Sequence, residues 1–233
     1  MTVLMGIATR LRLARLLLIT DLRADDLAGF VAATVSAGVD IVQLRDPRAD
    51  AEALAAGFAT ARAHLTNADA LLGLYDALEL AHQANADLLQ LSERGADTAQ
   101  ARADVHQWAV LGRSCHSRHQ VDAALADPEV NFLTVGPVEG GLFGVGGLDL
   151  VRYAAAQAPA TDPASKPWFA VGGVTAENLD DVLAAGARRV AVSRAITAAE
   201  NPAEAARALK ARLVQAWKND PGMESVIFGA FRP

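Results

Sequence analysis

Three short stretches of this 233-residue chain concentrate the side chains that could do chemistry. In VDIVQLRDPRAD (Val39–Asp50), an amide, a guanidinium and a carboxylate (Gln43, Arg45 and Asp46) close an apolar run. Gln43 and Arg45 stand two apart, so on a strand both project to one face. The planar fork of arginine matches two oxygens at once, which suits a diphosphate. An internal pair between Arg45 and a carboxylate would use the same residues structurally. Asp46 reads as a capping or orienting group rather than a reacting one.

PWFAVGGV (Pro167–Val174) brings paired glycines, Gly172 and Gly173, to the start of a helical stretch, and RRVAVSRA (Arg188–Ala195) ends in Ser193 and Arg194. Bare backbone N–H groups and a helix start facing one point make an anion cradle. Ser193 would add a hydroxyl donor and Arg194 a cation. The glycines would equally suit a plain tight turn. Other polar strand-end candidates are Asp21, Tyr75, Asp76, Gln90, Ser92, Glu93, Arg113, Ser114, His116 and Thr134. Alternation puts Ser114 and His116 on one side of their strand and Cys115 on the other. Cys115 therefore reads as a packing residue and His116 as a hydrogen-bonding one. His64, His82, His106 and His119 receive no role, and Asp149, Asp180 and Asp181 read as solvent-facing helix carboxylates.

These residues need elements to hold them. Eight apolar runs recur: Leu16–Asp21, Val39–Asp46, Ala70–Asp76, Asp87–Glu93, Ala109–His116, Asn131–Val138, Pro167–Val174 and Arg188–Ala195. Near-continuous apolar character over four to six residues fits strands covered on both faces, as in a parallel sheet. Between them lie alanine-rich stretches with apolar residues at helical spacing, such as Leu27, Phe30, Val31, Thr34 and Val35. SAGVDIV and AAGARRV each place a glycine between helix and strand, and NADLLQL uses Asn85 in the same way. Eight strands alternating with seven or eight helices predict an α/β fold, a single (β/α)8 TIM barrel. The rival, an open doubly wound sheet, lacks its Gly-x-Gly-x-x-Gly turn after the first strand. Residues 1–217 are read as the barrel and 218–233 as a C-terminal tail without helical periodicity. In such barrels the active face is built from strand C-termini, with phosphate sites after the last two strands.

Composition sets the bounds. With 52% hydrophobic residues but only 5% aromatics, the core must rely on alanine, leucine and valine. A net charge of −6 argues against a nucleic-acid surface, and a single cysteine excludes a disulfide framework. LARLLLIT is too short to span a bilayer and lacks a cleavage pattern, so a cytoplasmic protein without membrane partners is expected. The sequence leaves a homodimer open.

QLRD, LLGLYD with ALELA, GRSCHS, VGP, WFAVGGVTAENL and GARRVAVSRAIT occur in the order found in the thiamine phosphate synthase family, which this chain resembles from about Leu16 to Leu213. The likeness is strongest to actinobacterial members. The resemblance implies joining of hydroxymethylpyrimidine diphosphate to thiazole phosphate with loss of pyrophosphate. Mg²⁺ and cationic side chains would hold the leaving group. It implies that Gln43 and Arg45 contact the diphosphate and pyrimidine, and that Ser114 lies on the diphosphate side. Asp76 would bind metal, and Gly172, Gly173, Ser193 and Arg194 lie in the segments that hold the thiazole phosphate.

The departures cluster on the leaving-group side. The family lysine after QLRD is Pro47, an asparagine is Tyr75, and the second metal carboxylate is Gly95 in QLSERG. A Thr-x-Thr-Lys loop is replaced by VEGGLFGVGG (Val138–Gly147). Each charge-assisted contact is worth roughly 1.5–3 kcal/mol, and about 1.4 kcal/mol is tenfold in rate. Glu93 or Asp97 could substitute toward a metal, and Arg94 or Arg48 toward a phosphate. Two other readings therefore stand beside the transferase: a non-catalytic, regulatory phosphate-ligand binder, and a barrel enzyme with different chemistry. A thiazole tautomerase would lack its base, since Pro137 stands at the position of its histidine.

Overall fold

The computed structural model of the chain describes residues 5–22, 26–65, 69–139 and 146–231. Eight parallel strands run round in chain order and close into a barrel: β1 (Leu16–Thr20), β2 (Ile41–Leu44), β3 (Leu71–Tyr75), β4 (Leu88–Leu91), β5 (Val110–Cys115), β6 (Phe132–Val135), β7 (Trp168–Val171) and β8 (Val190–Val192). Each lies within one of the eight apolar runs, so the expected (β/α)8 barrel is the architecture found. Gly38, Asn85 and Gly186 adopt φ of 110°, 48° and 102° just before β2, β4 and β8. Those are left-handed values that glycine and asparagine tolerate, and they turn the chain from helix into strand.

Helices α1 (Ile7–Leu13), α2 (Leu27–Ser36), α3 (Ala51–Ala63), α4 (Leu78–Gln83), α5 (Thr98–Asp104), α6 (Arg118–Ala126), α7 (Leu148–Gln157), α8 (Leu179–Ala184), α9 (Arg194–Thr197) and α10 (Pro202–Lys218) precede, separate and follow the strands. Side-chain caps fix several starts: Asp26 accepts from Gly29 N, Asp50 from Ala53 N and Asn201 from Glu204 N. Among the described residues no helix is long and apolar enough to cross a membrane.

The strand registers define the barrel interior. Gln43 lies opposite Ile19 and Gly73, Tyr75 opposite Gln90, Gln90 opposite Gly112, and Ser114 opposite Thr134. Stepping round these pairs stacks inward residues from alternate strands in layers. A lower layer holds Leu17, Gly73, Gly112 and Phe169. The next holds Gln43, Gln90, Thr134 and Ala191, and the one above holds Ile19, Tyr75, Ser114 and Val171. The glycines make room for rings. Phe132 and Phe169 meet edge to face at 6.1 Å, and a Cβ on Gly112 would lie 2.2 Å from Phe132 Cζ. The barrel is thus hydrocarbon below and amide and hydroxyl above, which puts polarity at the end where the strands stop.

The stretch read as a C-terminal tail without helical periodicity is in part helical and docked. After Trp217 the chain forms α11 (Met223–Ala230), which buries Met223, Val226 and Ala230 against the barrel's lower end. Its bonds are to distant segments: Ser225 Oγ donates to Thr161 O at 2.9 Å, and Thr9 Oγ1 in α1 donates to Ala230 O at 3.0 Å. Met223, Val226 and Ala230 are three and four apart, a helical stripe barely two turns long that is easily passed over in the sequence.

Candidate functional site

At the C-terminal ends of the strands lies a cleft of about 610 Å³ lined from β1, β2, β7 and β8, including Asp21, Arg45, Asp46, Pro47, Arg48, Glu139, Gly172, Gly173, Ser193 and Arg194. Seven residues singled out in the sequence, Asp21, Arg45, Asp46, Gly172, Gly173, Ser193 and Arg194, therefore share one space.

Gly172 and Gly173 have φ of 87° and 80°, so the backbone after β7 turns in a conformation that side chains resist. A Cβ on Gly172 would lie 2.8 Å from Pro137 Cα. Among the described residues no acceptor takes the N–H groups of Gly172, Gly173, Ser193 or Arg194. Ser193 begins α9 without using its hydroxyl as a cap. Four N–H donors, a hydroxyl and a guanidinium facing a cleft can cradle a phosphoryl group. Nearby, Asn178 fastens the loop by donating to Gly173 O at 2.8 Å and accepting from Thr175 N at 2.9 Å.

Across the cleft, the exposed Arg45 guanidinium lies 4.5 Å from the centre of the Tyr75 ring. Tyr75, the replacement for the family asparagine, is thus a platform that steadies the cation while leaving its N–H edge open. Gln43, two residues earlier, is 0% exposed, and neither amide atom has a partner among the described residues. An unfilled donor and acceptor at that depth are costly unless something completes them. Gln90 is half-satisfied: its Nε2 donates to Ser114 Oγ and Thr134 Oγ1, both at 3.0 Å, while its Oε1 has no partner among the described residues.

Asp76 and Ser114 lie outside this cleft. Ser114 is held in the Gln90 network. Asp76, at a φ of 53°, turns its Oδ1 back to accept from Ser92 N at 2.8 Å. A Cβ on Gly95 would lie 2.4 Å from that same oxygen. The side chain missing at Gly95 is what lets Asp76 fold onto the β4 loop. The two candidate substitutes are engaged elsewhere: Glu93 accepts from Gln120 Nε2 at 2.8 Å, and Asp97 caps α5. Among the described residues no three metal-ligating side chains cluster. Mg²⁺ is commonly held by one or two carboxylates together with substrate phosphates. Asp76 fits that minimal form, with one oxygen committed and the other open.

Cys115 is buried, and desolvation pushes its thiol up to about 12, so packing is its role, as its strand position suggests. His116 pairs its Nδ1 with Gly136 O at 2.8 Å. Arg113 points outward, donating to Ala96 O at 3.2 Å in a separate 420 Å³ recess between α5 and α6. Asp149, Asp180 and their arginine partners are surface pairs.

Two cleft residues carried little signal in the sequence. Arg48 reaches Asp21 at 3.1 Å and Asp46 at 3.4 Å, and hydrogen bonding from the Arg48 backbone lowers the Asp46 carboxyl below its usual range. Its place after Pro47 was the only clue. Glu139 belonged to a stretch that offered no motif, and residues 140–145 of that stretch lie outside the described residues.

A family model described as thiamine monophosphate synthase matches residues 16–196. The chain is similar to the thiamine-phosphate synthase of Thermobifida fusca, at 44% identity over 213 residues covering 89% of this chain and 95% of that one. It is similar to that of Acidothermus cellulolyticus at 44% identity, covering 87% and 96%. A solved structure, the thiamine phosphate pyrophosphorylase from Pyrococcus furiosus, resembles it in fold, with a TM-score of 0.78 and 23% identity over 91% of this chain and 99% of that one.

Proposed function

Because the chain belongs to the thiamine monophosphate synthase family, we propose that it is a transferase joining hydroxymethylpyrimidine diphosphate to thiazole phosphate and releasing pyrophosphate. The observation that carries this reading is that Arg45 opens on the same cleft as the free N–H groups of Gly172, Gly173, Ser193 and Arg194. Two phosphoryl-bearing substrates need two cationic or N–H-rich ends of one space, and this cleft has them.

The acceptor's phosphate sits in the β7–β8 cradle, with Ser193 and Arg194 completing it. Gln43 completes its unfilled amide on the pyrimidine, and Arg45 holds the diphosphate from its Tyr75 platform. Arg48 takes over the charge that Pro47 lacks, and Ser114 orients the diphosphate side through the Gln90 network. Asp76 would hold Mg²⁺ together with the diphosphate, and the ion would supply positive charge against the leaving group. The carbon–oxygen bond breaks with its electron pair leaving on pyrophosphate, and the thiazole nitrogen supplies the pair for the new carbon–nitrogen bond. Concentrated positive charge at the departing oxygens drives that step. The buried polar layer keeps water from the electron-poor methylene.

Pyrophosphate release with both substrates and Mg²⁺ tests the reading. Release that needs both substrates is expected. Binding of thiazole phosphate with no release would instead favour a non-catalytic binder, in keeping with the turned-back Asp76 and the bare Gly95.

A further inference from the structure

Glu139 crosses the phosphate cradle. Two backbone N–H groups staple its segment to the turn after β7. Val138 N donates to Val171 O at 2.9 Å and to Gly172 O at 2.8 Å, and Glu139 N donates to Gly172 O at 3.1 Å. From there the side chain runs over Gly173. A Cβ on Gly173 would come within 2.6 Å of Glu139 Cγ and 2.7 Å of its Cβ and Cδ. Gly173 is bare partly to admit this stem, and the carboxylate at its end lines the same cleft as Ser193 and Arg194. Among the described residues no hydrogen bond or ion pair engages that carboxylate. The other charged groups on the cleft are Asp21, Asp46 and Arg48, which pair with one another, and Arg45 and Arg194.

A carboxylate beside a phosphate cradle is an odd neighbour for a dianion. A phosphate monoester loses its second proton near pH 6, so at neutral pH two anions would face each other across the rim. A single proton between them turns repulsion into a short O–H···O bond.

We propose that Glu139 selects the protonation state of the acceptor, which binds sharing one proton between its phosphate and the Glu139 carboxylate. This rests on the reading of the β7–β8 cradle as the acceptor-phosphate site. Glu139 is then a specificity-determining residue.

Above about pH 6 each binding event takes up a proton, so affinity falls as pH rises, by roughly tenfold per unit at the limit. In Glu139→Gln the amide donates directly to the dianion and no proton is needed.

Calorimetric titration with thiazole phosphate at pH 6, 7 and 8, in two buffers of different ionisation heat, tests this. Wild type is expected to bind about tenfold more weakly at pH 8 than at pH 7, with uptake near one proton. E139Q should bind with little pH dependence and no uptake, and E139A should likewise lose the uptake. Pyrimidine diphosphate binding should be the same in all three. PH-independent wild-type binding without uptake would overturn this inference alone, as would unchanged uptake in E139Q. No binding of thiazole phosphate by any of the three would overturn the cradle reading and this inference with it.

Discussion

At the floor of the barrel, Arg15 and Arg189 lie 4.2 Å and 5.0 Å from the ring of Trp217; at the mouth, Arg45 lies 4.5 Å from the ring of Tyr75. The contact is the same and the use differs. Arg189 is 3% exposed, with Nη2 donating to Arg12 O at 2.9 Å, and burial lowers its hold on its proton, with the charges on Arg15 and Arg12 adding to that. Asp40 ties the region together, accepting from Arg15 N and Leu16 N and pairing with Lys210. Arg15 and Arg189 are packed on the indole with their Nε atoms buried in protein, and neither lines the cleft at the mouth. At the mouth, Arg45 and Arg194 are exposed, and four backbone donors have no acceptor among the described residues. An aromatic ring under a guanidinium therefore marks neither function nor structure. What separates the two is whether the remaining donors face protein or open space.

The largest effect expected from that contrast lies at the floor. Trp217→Ala removes a buried indole and should cost about 3–5 kcal/mol of stability, read as a lower denaturant midpoint, while kcat/KM stays near wild type. A large loss of turnover in the folded variant would mean that floor and mouth are coupled. Arg45→Ala should do the reverse. Losing one charge-assisted contact of roughly 1.5–3 kcal/mol lowers kcat/KM for the pyrimidine diphosphate about 10- to 150-fold, with the melting temperature little changed.

Gly173→Ala sharpens the division within the mouth. A side chain at a φ of 80° that also meets Glu139 is strained, at a cost of about 1–2 kcal/mol. It should raise KM for thiazole phosphate and leave that for the diphosphate unchanged. An effect on the diphosphate alone would reverse the two ends of the cleft.

Near neutral pH Cys115 gives the smallest effect. Its folded-state value of about 12, raised by burial, lies above the roughly 8.5 of an unfolded thiol. Its contribution is full below pH 8.5 and is lost as pH rises toward 12, at up to roughly 1.4 kcal/mol per unit. Folded protein should resist alkylation at pH 8 and react once unfolded. Rapid alkylation of the folded protein would show that this strand end is more open than its packing indicates.

The barrel was legible because its strands are covered on both faces, so each is an apolar run bounded by a polar end, and Gly38, Asn85 and Gly186 mark the joints. Arg45, Gly172, Gly173, Ser193 and Arg194 were legible because they sit at those ends. Helix α11 was not, because its stripe of Met223, Val226 and Ala230 spans barely two turns and what it docks on, near Thr161 and Thr9, lies far along the chain. Nor was the posture of Asp76. The family resemblance implies a metal ligand there, yet the bare Gly95 lets it turn onto Ser92 N, a consequence of two residues nineteen apart. Glu139 was hidden for a similar reason, because only the pairing of β6 with β7 lays it over Gly173.

The most direct test is a crystal structure of the protein soaked with thiazole phosphate. The account predicts the phosphate among the N–H groups of Gly172, Gly173, Ser193 and Arg194, with the thiazole ring directed toward Arg45. A phosphate bound instead in the Arg113 recess between α5 and α6, with the β7–β8 cradle empty, would contradict it.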